Sequence, residues 1–172
     1  MPSQWPALAR EISICRACAE LAATRQKVVV GDPAPTVPAR LVFVGEAPGA
    51  QEDAAGKPFV GKAGQLLDQL LADAGMSRAE VGVLNVIKCR PPNNRRPTPA
   101  EVAQCRPYLE RQLALLQPRL IVALGLALVL NMRARGIGFY RTVFYLLEPR
   151  ERSEGEISFF GADGKSLAVP LR

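Results

Sequence analysis

Three short apolar runs frame this chain: "RLVFVG" at 40–45, "VGVLNVI" at 81–87 and "RLIVALG" at 119–125. Each is rich in branched residues, too short for a helix, and bounded by Gly, Pro or charge, which marks a buried strand. Between the first two lies "GKAGQLLDQLLADAG", an amphipathic helix with Leu66, Leu67, Leu70 and Leu71 predicted to face inward and Gly75 at its C-terminal end. Between the second and third, Thr98 is an N-cap with Pro99 at the first helical position, predicting a helix over 99–117. Strand, helix, strand, helix, strand predicts an α/β fold with right-handed crossovers and a mostly parallel sheet. Further helices are predicted over 5–23, with Leu8, Ile12 and Ala17 on one face, and in "LALVLNMRA" at 126–134. Strands are predicted in "RTVFYLLE" at 141–148 and in "EISFF" at 156–160. The 172 residues show no repeat and no internal linker, so 1–172 is expected to be one domain.

In an open α/β sheet, ligands bind beyond the carboxyl ends of the strands. The loops that follow the first two strands, Gly45 to Gly61 and Lys88 to Thr98, are therefore expected side by side on one rim. The first contains "GKPFVGKA" at 56–63, close to the phosphate-binding pattern G-x-x-x-x-G-K-[ST]. It departs from that pattern in three ways. Ala63 replaces the hydroxyl that would meet Mg²⁺, Pro58 removes a backbone donor, and about a dozen residues separate it from Val44. A nucleotide loop is thus disfavoured. Asn85 inside an apolar strand is the other anomaly, because a buried amide costs free energy unless it is hydrogen-bonded.

Lys and Arg exceed Asp and Glu by six, which favours an acidic partner, nucleic acid above all. The N-terminus lacks a basic start followed by an apolar run. The longest apolar stretch, "LIVALGLALVL", falls short of the ~20 residues that span a bilayer. A cytoplasmic protein is expected, and in that reducing setting four cysteines read as ligands before disulfides. Cys15 and Cys18 form a C-x-x-C pair, while Cys89 and Cys105 are separated by 15 residues. Four thiolates suit tetrahedral zinc or a [4Fe–4S] cluster, and the spacing alone leaves both open.

"GEAPGAQEDAAGKPFVGKAGQLLD" followed by "LNVIKCRPPNNRRPTPAEVAQC" resembles the family 4 uracil-DNA glycosylases, the iron–sulfur members of their superfamily. The resemblance runs from about Cys15 to Gly125. It implies a three-layer α/β/α sandwich and a [4Fe–4S] cluster held by Cys15, Cys18, Cys89 and Cys105, with zinc as the alternative. It also implies a monomeric, monofunctional enzyme that flips uracil out of single- or double-stranded DNA and hydrolyses its N-glycosidic bond to leave an abasic site.

Under this reading Phe59 stacks on the flipped ring, and Asn85 offers donor and acceptor to the pyrimidine edge. The backbone N–H groups at Glu46 and Ala47 face a carbonyl oxygen of the base. Glu46 and Glu52 are the acidic residues of the catalytic loop, orienting water or stabilising an oxocarbenium-like sugar. From sequence alone Glu52 and Asp53 could instead be a solvated loop face or an N-terminal cap. Lys62, Arg90, Arg95 and Arg96 are candidate phosphate contacts. The family's C-terminal His-Pro motif is missing: the chain has no histidine. Arg141 or Tyr145 could take its place, and a weakly active or inactive DNA-binding, damage-sensing module of the same fold is the alternative function.

Overall fold

The structure, a computed structural model, describes residues 3–124 and the backbone of 142–145, 156–161 and 166–170. Two short helices, α1 (Trp5–Ser13) and α2 (Ala19–Thr24), precede strand β1 (Val42–Gly45). Helices α3 (Ala50–Ala55) and α4 (Lys62–Asp73) lead to β2 (Gly82–Asn85), and α5 (Pro99–Leu116) leads to β3 (Ile121–Leu124). Strands β4 (Thr142–Tyr145), β5 (Glu156–Gly161) and β6 (Ser166–Pro170) follow.

The described strands form one six-stranded sheet in the order β2-β1-β3-β4-β5-β6. β1 pairs in parallel with β2 and β3, and β3 with β4, while β5 and β6 add on antiparallel. The α/β class and the mostly parallel sheet are as the sequence predicts; β4 falls within its predicted strand, β5 runs one residue past its own, and β6 has no predicted counterpart. The helix predicted at 126–134 lies outside the described residues. Among the described residues no helix is long and apolar enough to cross a membrane.

Two apolar clusters sandwich the sheet. One packs Trp5, Leu21, Val44, Leu84, Leu109 and Leu113 on the face covered by α1, α2 and α5. The other packs Phe43, Val83 and Val122 against Leu67 and Leu71 of α4. The cap of α5 is a reciprocal box, with Glu101 N–H donating to Thr98 Oγ1 at 3.2 Å and Thr98 N–H to the Glu101 carboxylate at 2.7 Å.

Three predicted elements change on folding. The helix expected over 5–23 is two helices, because the Cys15–Cys18 turn breaks it and leaves Ala17 exposed. Helix α4 buries Gly64, Leu67 and Leu71 and leaves Leu66 on the surface, so its inward stripe is narrower than four leucines suggest. The second strand stops at Asn85, and residues 86–89 continue as buried irregular chain.

Candidate active site and cysteine centre

β1 and β2 run in parallel register, with Gly45 opposite Asn85, so their loops leave the same edge. The pairing continues past the strands: Val86 N–H donates to Gly45 O at 2.8 Å and Ile87 N–H to Glu46 O at 3.1 Å. Lys88 Nζ reaches back to Asn85 O at 2.7 Å. The two loops expected on one rim are on one rim.

Asn85 and Phe59 converge there on Gly45. A Cβ built on Gly45 would lie 2.4 Å from Asn85 Oδ1 and 2.5 Å from the Phe59 ring. Only glycine leaves the amide and the ring this close to one backbone. Asn85 is 2% exposed, and its Oδ1 has no hydrogen-bond partner among the described residues. Such an atom costs on the order of 1–3 kcal/mol while it stays unpaired. Glu46, half-buried, follows Gly45 directly, and among the described residues its carboxylate takes no hydrogen bond. Ala47 packs against the neighbouring core cluster.

Phe59 is held in an uncommon backbone state, φ +51°. That region costs a non-glycine residue about 1–3 kcal/mol and persists only where surrounding contacts over-determine it. Glu52 supplies several of those contacts. Its carboxylate accepts from Gly49 N–H at 3.1 Å, from Val60 N–H at 2.9 Å and from Gly61 N–H at 2.8 Å. Both oxygens are therefore engaged in shaping the loop, and the capping role left open by the sequence is realised. Next to it Asp53, 1% exposed, accepts from the N–H groups of Gln26 and Lys27 and ties α3 to the segment after α2.

The four cysteines are all free thiols. They come from the α1–α2 turn, from the chain after β2 and from α5, and each of Cys18, Cys89 and Cys105 senses the charge of at least one other cysteine. Burial is the main influence on all three: it raises Cys18 and Cys89 and pushes Cys105 up to about 11. Arg25 Nη1 donates to Cys89 Sγ at 3.0 Å and its Nη2 to Cys15 O at 2.6 Å. Lys88, wholly buried beside Cys105 and Cys89, is driven down to about 7 by desolvation, which the two neighbouring thiols oppose. Among the described residues no three His, Cys, Asp or Glu side chains stand close enough to hold one metal ion.

The predicted phosphate contacts divide. Lys62 is exposed at the start of α4, and Arg96 is exposed on the loop before α5. Arg90 Nε donates to Asn94 Oδ1 at 2.7 Å, a neutral partner that leaves its charge unbalanced. Arg95 is committed instead, to both oxygens of Glu101 at 2.7 and 2.9 Å and to Glu20 at 2.9 Å. It clasps α2 to α5 around the cysteine turn. Arg141 and the side chain of Tyr145 lie outside the described residues.

Four residues of the site escaped sequence inspection. Gly45 carries no signal beyond its place at the end of an apolar run. Lys88 had a visible signal, a lysine inside the run "VIKC". Arg25 had none, since its sulfur partner is 64 residues away. Arg78 carries no local signal either, yet its Nη1 donates to Phe59 O at 2.8 Å and its Nη2 donates to Pro58 O.

The family model described as "Uracil DNA glycosylase superfamily" matches residues 33–162. The type-4 uracil-DNA glycosylase of Archaeoglobus fulgidus is 52% identical over 118 residues, covering 69% of this chain and 58% of that protein. The type-4 uracil-DNA glycosylase of Saccharolobus solfataricus is 42% identical over 145 residues, covering 80% of this chain and 66% of that protein. The type-5 uracil-DNA glycosylase of Thermus thermophilus is 35% identical over 148 residues, covering 69% and 67%. With the Thermotoga maritima type-4 enzyme matched over 60% of its length and the Archaeoglobus enzyme over 58%, the chain spans about three fifths of these two relatives.

Proposed function

This chain belongs to the uracil-DNA glycosylase superfamily, and from that membership we propose that it removes uracil from DNA by hydrolysing the N-glycosidic bond. The observation that carries this is the convergence on Gly45 of the Phe59 ring and of the Asn85 oxygen, which has no partner among the described residues. A planar base that slid against the ring would bring its own donor to Oδ1. Uracil carries an N3–H where cytosine has an acceptor, so an amide oxygen here prefers uracil. The base reaches such a pocket only when the nucleotide leaves the stack.

In the reaction the C1′–N1 bond breaks with its electron pair departing on uracil. A water oxygen then bonds to C1′ and the water's proton goes to the departing base or to solvent, leaving an abasic sugar and uracil. Glu46 beside Gly45 is the carboxylate we assign to orient that water and to stabilise the cationic sugar. Glu52 supports the loop through its three backbone contacts. The chain contains no histidine; Asn85 and the backbone N–H groups at Glu46 and Ala47 are the described donors we assign to the leaving base. Lys62, Arg90 and Arg96 are the phosphate contacts we retain, and DNA is the partner.

Cys15, Cys18, Cys89 and Cys105 are the residues that would hold a [4Fe–4S] cluster. Four thiols and no histidine make an all-sulfur ligand set, which suits a [4Fe–4S] cluster, with one zinc ion as the alternative. When bound, such a group supplies a cross-link between the N-terminal helices, the chain after β2, and α5. Arg25 would place its guanidinium beside the Cys89 thiolate, and Lys88 would lie next to Cys89 and Cys105.

The test is incubation with uracil-containing single- and double-stranded DNA, followed by detection of abasic sites. Release of uracil by the chain, lost in Asn85→Ala, supports the proposal. Salt-sensitive binding without release, from an iron-loaded preparation at high enzyme excess, would sink it and favour a damage-sensing module.

A further inference from the structure

The 58–61 loop that carries Phe59 is gripped from two sides by opposite charges. On one side the Glu52 carboxylate accepts from the N–H groups of Val60 and Gly61. On the other the Arg78 guanidinium donates to the carbonyls of Pro58 and Phe59. Arg78 lies in the short turn Arg78–Glu80 between α4 and β2, and Asp68 of α4 holds its Nη1 at 3.1 Å. Asp32 stands 4.0 Å from its Nη2.

Phe59 is half-buried and packs against the apolar cluster of Phe43, Leu67, Leu71 and Val83. Its ring also lies against Gly45, where a Cβ would stand 2.5 Å from it. Beside the loop is a cleft of about 380 Å³ bordered by Asp32, Lys57, Pro58, Val60 and Arg78. A left-handed residue persists only where its surroundings over-determine it, and packing sets the ring but not the backbone carbonyls; among the described residues those of Pro58 and Phe59 both accept from Arg78.

We propose that Arg78 is a positioning residue for base capture: by holding the Pro58 and Phe59 carbonyls it fixes the Phe59 ring against Gly45, opposite the hold that Glu52 exerts. This rests on the glycosylase assignment above for its functional consequence, but its structural content stands apart. The planar five-donor fork of arginine serves two adjacent carbonyls and Asp68 at once; a lysine ammonium, a point donor on a flexible stem, serves them less well.

Arg78→Met and Arg78→Lys in the full chain test it with two readouts. The first is hydrogen exchange at the amides of Phe59, Val60 and Gly61, without DNA. Faster exchange confined to that loop in Arg78→Met, partly restored in Arg78→Lys, is the expected result. Exchange at the wild-type rate overturns the proposal. The second is single-turnover uracil release beside affinity for abasic-site DNA. Release is expected to fall roughly 10- to 100-fold in Arg78→Met, as for a misplaced reacting group, with affinity for abasic-site DNA unchanged and Arg78→Lys intermediate. A loosened loop with undiminished release also overturns it. Wild-type protein that releases no uracil refutes the glycosylase assignment, and the exchange measurement then decides the clamp by itself. Should Arg78→Met fail to fold, Arg78→Lys carries both readouts.

Discussion

Gly64, in the first turn of α4, lies directly against the carbonyl of Phe59: a Cβ on Gly64 would stand 1.8 Å from that oxygen and 2.2 Å from its carbon. The obstacle is backbone, so neither partner can swing away. Gly64→Ala must push α4 off the loop or drag Phe59 with it, an overpacking that costs about 1–3 kcal/mol or more. Urea unfolding should show that loss, and uracil release should fall with it.

Gly45→Ala separates the pocket from the fold. The clashing atoms here are side chains, Asn85 Oδ1 and the far edge of the Phe59 ring, which can shift. The melting temperature is expected to move by only a few degrees, while uracil release drops at least as far as in Asn85→Ala. Wild-type release from Gly45→Ala would contradict the placement of the base.

Asn85→Ala removes an oxygen that has no partner in the described chain, so no hydrogen bond to Oδ1 is lost. Stability should change by less than about 2 kcal/mol, below the range for truncating a well-packed large core side chain. Excision of uracil should fall to background. The pairing of intact stability with lost activity, read by denaturant titration beside the abasic-site assay, is what distinguishes a binding amide from a structural one.

Glu101 gives the acid response a definite sign. Hydrogen bonds from Arg95 come first among the causes that hold its carboxyl down to about 2, below the ordinary 4.5. A carboxylate depressed in the folded state adds stability above its unfolded value and loses it as pH falls toward the folded one. The urea midpoint should therefore decline between about pH 4.5 and pH 2, and the decline should be shallower in Glu101→Gln. Equal slopes for the two proteins would argue against the clasp.

The cysteine centre predicts iron. Anaerobically prepared protein should carry several irons per chain with visible charge-transfer absorbance, and each of Cys15→Ser, Cys18→Ser, Cys89→Ser and Cys105→Ser should diminish both. One tightly bound zinc with no iron would replace the cluster by its alternative.

Strands β1 to β5, the parallel pairing and the α5 cap were legible in local pattern, while β6 was not. Branched apolar runs exclude surface helices, and Thr98 with Glu101 writes its own hydrogen bonds. The cysteines, Phe59 and Asn85 were legible because their residue types are odd for where they occur. Contacts between distant segments were not legible. Whether α1 runs through the cysteine turn depends on what Cys15 and Cys18 must face, and Leu66 is exposed because the sheet receives only a narrow stripe of α4. Arg78 and Arg95 look alike in the sequence, yet one grips the Phe59 loop and the other joins α2 to α5. An arginine's hydrogen-bond partners are set by geometry across tens of residues, which no local period encodes. Local pattern thus chose the sheet and the kinds of residue at its rim, and the tertiary structure decided which of them meet.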